Sequence, residues 1–385
     1  MKKICYVTTL SISICAFFIE QLNFLSENGF SVTVICSPDD NLKEKLGKNI
    51  NFIPVNIPRG IHPLGMLKAI FKLKKVFLKE RFDFVQYSTP NAAFCASIAS
   101  RLAKIGVRNY HLMGLRYLGE KGLKRKFLFY MEKLACSQST TIECVSKSNL
   151  ELATKSGLFP NEKATVVFNG SSGGLDLQKF DKKFRPEYRI NIRKKYNIPL
   201  DAFVFGFVGR ITRDKGVNEI LSAFKSFENA FLMMIGNEEN ITGINSELYK
   251  WSKKASKIIY TGQVEDIEQC YCALDVLLLP SYREGFGNVV MEAAAMGTPA
   301  IISRIPGPID AVLENKTALV IDVKNENALK DAMKKIMQNE LFIHMSDEAS
   351  NFVRSRFDSK LLNSKILERK NFLLKGNQYE KNCSY

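Results

Sequence analysis

The chain has 385 residues, 46% hydrophobic and 24% charged, a globular composition with apolar material for more than one core, which excludes wholesale disorder. Its formal net charge is +16, and within residues 1–190 there are 29 Lys and Arg against 15 Asp and Glu, so the basic character belongs to the first half. No run approaches the ~18 consecutive apolar residues of a membrane-spanning helix, and nine cysteines without a C-x-x-C pair give neither a zinc site nor a disulfide framework and fit a reducing, cytoplasmic compartment.

The opening MKKICYVTTLSISICAFFIE has two lysines before an apolar run, as a signal peptide does. It lacks a small-x-small cleavage triplet, and Ile14 stands before Cys15 where a lipoprotein signal has a small residue. The reading adopted is a strand from Lys3 to Thr8, a loop from Thr9 to Ser13, an amphipathic helix ending near Asn28-Gly29, and a strand from Val32 to Cys36. Further strands are expected near 51–55, 83–88, 107–112, 140–145 and 165–168, with helical patterns between most of them. One helix, Leu64 to Arg81, places Leu67, Ile70, Phe71 and Phe77 near one face and spaces Lys68, Lys72, Lys75 and Lys79 four, three and four apart. A second cationic cluster, Lys121, Lys124, Arg125 and Lys126, runs into Phe127, Leu128, Phe129 and Tyr130. Such mixtures fit a solvated helix face or an anionic membrane surface, where each cation contributes about 1 kcal/mol; no zinc-finger, RRM or basic-zipper pattern points to nucleic acid.

The polar stretch from Asp176 to Asn197 reads as a connection between domains. Alternation then restarts: strand 202–208, helix 216–227, strand 231–235, helix 246–256, and strands 258–261 and 275–279. Helix 287–295, strand 299–303, a short helix 308–313 and strand 318–321 follow. Helices 326–338, 341–355 and 358–374 come last, before a frayed end from Lys375 to Tyr385. The expectation is α/β, with two Rossmann-like doubly wound domains, 1–190 and 191–356, and a C-terminal helix, 357–376, packing back on the first. Open parallel sheets take ligands at the carboxyl ends of their strands, so the cleft between the domains is the expected site.

Two segments carry chemistry. Gly209-Arg210-Ile211-Thr212-Arg213-Asp214-Lys215-Gly216 follows a buried-looking strand and opens a helix. Its guanidinium and ammonium groups, with the exposed amides of a helix start, suit a diphosphate; the same segment also reads as a solvated βα loop. Ser281-Tyr282-Arg283-Glu284-Gly285-Phe286-Gly287-Asn288-Val289 leads into Glu292. Here glycines admit a ligand to the backbone, and the helix they open directs free N–H groups at it. Eight positions at ~1.5 Å each separate Glu284 from Glu292 by roughly 12 Å, enough for one carboxylate on each sugar of a nucleotide sugar. The plainer readings are a Glu284–Arg283 pair and a Glu292 placed by the helix dipole.

These residues resemble the family 4 glycosyltransferases of the GT-B fold. The resemblance rests on the E-x7-E pattern within LPSYREGFGNVVMEAAAMGTPAI, on FVGRITRDKG and on TGQVEDI, and extends in pattern across most of the chain. YSTPNAAF, CVSKSN and FNGSSGGLDLQKFD are similar to a bacterial surface-polysaccharide branch whose members act on polyprenyl-diphosphate-linked sugars. The resemblance implies retaining transfer of a hexose or N-acetylhexosamine from a UDP-sugar to such an acceptor, for capsule, O-antigen or exopolysaccharide, by a cytoplasmic protein peripheral on the inner face of the membrane. It implies catalytic roles for Glu284, Arg210 and Lys215. It also implies donor contacts by Gly209, Gly262, Val264, Gly285, Phe286, Gly287, Asn288, Val289 and Glu292, and no metal; the chain has no D-x-D triplet. Where many members carry His-Gly, this chain has Met113-Gly114, so His111, with Ser11 and Arg116, is an acceptor-side candidate. The alternatives are a UDP-sugar 2-epimerase on a similar scaffold and a non-enzymatic basic protein for membranes or nucleic acid.

Overall fold

The computed structural model describes residues 1–239, 241–338 and 341–382. The chain forms two compact units, one of residues 1–174 and 359–385, the other of residues 175–358.

Among the described residues the first unit holds β1 (Lys2–Val7), β2 (Phe30–Cys36), β3 (Ile50–Pro54), β4 (Phe84–Tyr87), β5 (Val107–Leu112), β6 (Thr141–Cys144) and β7 (Ala164–Thr165). They pair in parallel in the order β3-β2-β1-β4-β5-β6-β7. Strand alternation splits the core between two faces: Ile4 and Tyr6 of β1 join one apolar cluster, Cys5 and Val7 the other. The first cluster is closed by α1 (Ser11–Phe17), α2 (Ile19–Glu27) and α3 (Leu42–Lys45); the second by α4 (Pro63–Glu80), α5 (Pro90–Leu102), α6 (Gly122–Gln138) and α7 (Lys147–Lys155). Helix starts thus at Ser11, inside the stretch expected to be a loop.

On α4 the buried side chains are Met66, Ala69, Ile70, Leu73 and Phe77, the i, i+3, i+4, i+7 stripe of an amphipathic helix. Leu67 and Phe71, expected on that face, are exposed beside the lysines, because positions 67 and 71 lie about 100° off the stripe that meets α5.

The second unit holds β8 (Phe203–Val208), β9 (Ala230–Ile235), β10 (Ile258–Gly262), β11 (Val276–Leu279), β12 (Ala300–Ser303) and β13 (Ala318–Ile321), parallel in the order β10-β9-β8-β11-β12-β13. Its helices are α8 (Arg185–Lys195), α9 (Val217–Phe224), α10 (Ser246–Lys254), α11 (Ile267–Ala273), α12 (Asn288–Ala295), α13 (Glu326–Gln338) and α14 (Leu341–Arg356). Strand order reverses between β8 and β11, so the loops after those two strands flank the crevice where a doubly wound sheet takes its ligand.

Two elements depart from the sequence reading. Asp176–Asn197 is no linker: the division falls after Gly174, and α8 packs on α11. Its inward face carries arginines four apart, of which Arg193 is buried beside Ile192. Arg185 donates to Leu274 O at 2.8 Å and Met296 O at 2.7 Å, Arg189 to Asp275 at 2.8 Å, and Arg193 to Ala273 O and Asp275 at 2.9 and 3.0 Å. Arg185 and Arg193 thereby satisfy carbonyls that the ends of α11 and α12 leave without helical partners. The last helix, α15 (Ser359–Asn382), belongs to the first unit and continues past Leu374, where fraying was expected; the end of that stretch, 383–385, lies outside the described residues. Eight cysteines are free, seven of them buried, and Cys383 is not described.

Candidate functional site

In the second unit the two chemical segments meet through their backbones. Tyr282 N–H donates to Asp214 O at 2.9 Å. Gly216, at φ +75°, lies so close to Pro280 that a Cβ would stand 2.3 Å from its carbonyl oxygen. Only glycine joins the post-β8 loop to the post-β11 loop this tightly. Gly287, at φ +91°, caps α12, and its missing side chain leaves room for Pro308.

Side chains across this junction pair acid with base. Lys215 Nζ lies 2.6 Å from Glu284 Oε1, with side-chain exposures of 17% and 14%. Arg283 lies 3.2 Å from Asp214, whose other oxygen accepts from Thr212 at 2.7 Å. Burial pushes the Asp214 carboxyl up, but the Thr212 hydrogen bond and the neighbouring Arg283, Lys215 and Arg210 outweigh it and hold it below its ordinary value. Arg210 reaches out to Glu239 at 3.4 Å, both about half exposed. Glu284 therefore pairs with Lys215, not with Arg283, and Arg210 and Lys215 have separate carboxylate partners.

The remaining donor-side candidates lie at the same carboxyl edge. Gly209 follows β8, and Gly262 ends β10 at φ +68° with Val264 two residues on. Beside it Asn237, after β9, donates to Gln263 at 2.8 Å. Gly285 and Gly287 precede α12, which Asn288 and Val289 open. Phe286 turns its ring inward onto Phe357, 5.3 Å between centroids, so its side chain serves the core. Glu292 sits one turn into α12 and accepts from the hydroxyl of fully buried Tyr271 at 2.7 Å. Sequence reading missed Tyr271 because α11 spans only seven residues, too few for a helical period to register. It likewise missed Asp214 and Glu239, ordinary loop carboxylates until the fold sets them against Arg283 and Arg210.

The acceptor-side candidates belong to the first unit. Ser11 hydrogen-bonds Asp39 at the start of α1, and Arg116 donates to Asn91 at 3.3 Å. His111 is buried, with Nε2 3.2 Å from Ser172 Oγ, Nδ1 3.8 Å from Glu143, and its ring edge-on to Phe18. Its buried Nδ1 has no hydrogen-bond partner among the described residues.

Residues 3–146 match the family model described as glycosyl transferase 4-like, and residues 189–355 the model described as glycosyl transferases group 1. The chain is 30% identical to the capsular polysaccharide biosynthesis glycosyltransferase CapM of Staphylococcus aureus over 98% of its own length and 99% of the relative's. The chain belongs to the family 4 glycosyltransferases. It falls in their bacterial surface-polysaccharide branch and has the GT-B fold. A second relative, at 23% identity and 88% coverage of both chains, is the Escherichia coli UDP-Gal:alpha-D-GlcNAc-diphosphoundecaprenol alpha-1,3-galactosyltransferase. In fold, this glycosyltransferase resembles HepE of Anabaena, solved in complex with UDP, with a TM-score of 0.79, 18% identity, and coverage of 96% of this chain and all of that one. Among the described residues no helix is long and apolar enough to cross a membrane.

Proposed function

We propose that this glycosyltransferase moves a hexose or N-acetylhexosamine from a UDP-sugar to a polyprenyl-diphosphate-linked saccharide in surface polysaccharide assembly, with retention at the anomeric carbon. The observation that carries the reading is the Lys215–Glu284 contact at the crevice between β8 and β11, where an ammonium for a diphosphate and a carboxylate for a sugar stand side by side. The names of the relatives supply the donor and acceptor chemistry. In the reaction, the bond from the anomeric carbon to the β-phosphate oxygen breaks, an acceptor hydroxyl bonds to that carbon on the same face, and its proton passes to the departing diphosphate. Arg210 and Lys215 stabilise the charge that develops there, Glu284 holds the donor sugar, Glu292 the ribose, and amides from Gly285 to Val289 the phosphates, without a metal. UDP release from a UDP-sugar should require a lipid-diphosphate saccharide, persist in EDTA and fail in Glu284→Ala. Turnover of donor without acceptor, or full activity of that variant, would overturn the reading.

The same proposal puts the protein on the inner membrane surface through its first unit. α4 and α6 both pack against α5, and their outer faces combine Lys68, Lys72, Lys75 and Lys79 with Lys121, Lys124, Arg125 and Lys126, all exposed. Large apolar side chains stand among them, Leu64 at 77% exposure, Phe71 at 61% and Leu123 at 84%. Cations attract an anionic leaflet and apolar tips enter its headgroup boundary, which a polyanion such as nucleic acid does not offer. Replacing the four α4 lysines by Gln should weaken binding to anionic vesicles several-fold with UDP affinity unchanged. Phe71→Ser with Leu123→Ser should remove the part of the binding that survives high salt. Unchanged vesicle binding in both would leave the face a solvated one.

A further inference from the structure

Glu292 lies in a crowded polar setting that its proposed contact with ribose does not explain. From α11, Tyr271 donates to Oε2, and Glu268 stands one turn earlier; Lys179, on the segment before α8, lies 3.4 Å from Glu268. Burial, helped by the Glu268 charge, raises the Glu292 carboxyl above its ordinary value, while the Tyr271 hydrogen bond and Lys179 hold it back toward the ionised form. The form that wins matters, because an ionised carboxylate only accepts hydrogen bonds, and a vicinal diol offers two donors.

Tyr271 is placed for this task by its surroundings. It is fully buried, its carbonyl accepts from Thr298 Oγ1 at 2.8 Å, and the end of its helix is held by Arg185 and Arg193. Its hydroxyl is thus fixed before any ligand arrives. Glu292 is only partly buried, and its Oε1 has no protein hydrogen bond among the described residues.

We infer that Tyr271 is a positioning residue of the donor site: its hydroxyl holds Oε2 of Glu292 and turns the carboxylate toward a vicinal diol, so that the site selects a ribonucleotide over its 2′-deoxy counterpart. The inference rests on the reading of this crevice as the donor site. Lys179 and Glu268 set the background charge, and Tyr271 supplies the directional contact.

The test is calorimetric titration of the full chain with UDP and with 2′-deoxy-UDP between pH 5 and 8, for the unaltered protein, Tyr271→Phe, Glu292→Gln and the double variant. The unaltered protein should prefer UDP by about tenfold, the discrimination a lost hydrogen bond to a charged group gives. Tyr271→Phe should weaken UDP several-fold, leave 2′-deoxy-UDP nearly unchanged, and move the acid loss of UDP binding to higher pH. In the double variant the tyrosine change should add little to the loss from Glu292→Gln. A Tyr271→Phe protein that keeps the UDP preference and the acid limb, or a loss that adds in full to that of Glu292→Gln, overturns the inference. Unchanged UDP affinity in Glu292→Gln instead overturns the donor-site reading beneath it.

Discussion

Two regions of this molecule set lysine near glutamate to opposite ends. At the carboxyl edge of the second sheet, Lys215 and Glu284 touch at 2.6 Å, and both side chains retain contact with solvent. Inside the first unit, Lys370 of α15 is wholly buried; it donates to Gln86 at 2.9 Å and lies 4.3 Å from the Phe84 ring centre. Its neighbour Arg369 donates to Glu143 at 2.9 Å. Burial pushes the Glu143 carboxyl up, but Lys370, His111 and Arg369 outweigh it and hold it well below the usual carboxylate range. A half-wet pair can exchange partners when an anion enters, whereas a dry one cannot without stranding a charge. The first arrangement suits ligand binding; the second fixes the returning helix to the sheet.

The largest expected effect breaks the dry network. Glu143→Ala leaves Arg369 and Lys370 uncompensated and should cost about 3–5 kcal/mol in denaturant unfolding of the first unit. With a folded-state pKa below the unfolded one, Glu143 contributes stability that is present above the ordinary glutamate range and lost as pH falls below about 4. The variant should therefore lose the steep acid limb as well as the stability. A small loss with the acid limb intact would place Glu143 among the exchangeable pairs.

The second prediction sharpens the contrast from the other side. Lys215→Ala should lower kcat by roughly 100- to 1,000-fold, the scale for one donor to developing charge. Its unfolding free energy should stay within about 0.5–1 kcal/mol of the parent, since the Glu284 it leaves behind still reaches water. Equal damage to folding and turnover, read by thermal unfolding and initial rates on one preparation, would erase the distinction.

The two kinds of site differ also in how legible they were. Strand positions and the two glycine-flanked motifs could be read because apolar runs such as VLLL and turn glycines announce themselves locally. The partnership of Lys215 with Glu284, 69 positions apart, needed the sheet to bring β8 beside β11. α8 escaped detection because its inward face is largely arginine, which pattern reading treats as surface. The inward face of α4 was misjudged at Leu67 and Phe71, where an apolar side chain sits in the exposed cationic stripe. The network around Lys370 had no sequence signature, since its members come from α15, β4, β5 and β6, far apart in the chain.

The smallest effect concerns a second buried glutamate of the first unit, and its sign is the reverse of that of Glu143. Glu132 of α6 accepts from the Tyr110 hydroxyl and is buried, and burial pushes its carboxyl up to about 7 against the opposing Tyr110 hydrogen bond and Arg116 charge. A carboxyl whose folded pKa lies above the unfolded value favours the folded state below about pH 4.5, and that contribution is lost as pH rises through 7. The unit should thus lose stability across this window through Glu132 while Glu143 stays ionised throughout. Glu132→Gln keeps an acceptor for Tyr110 without a charge to desolvate, so it should gain on the order of 1–2 kcal/mol relative to the parent between pH 5 and pH 8. Denaturant unfolding at those two pH values measures the difference, and an equal offset at both would assign the slope to another group. Two glutamates of similar burial then diverge for one physical reason: Glu143 is held by two cations and a histidine, and Glu132 by a phenol and one guanidinium charge.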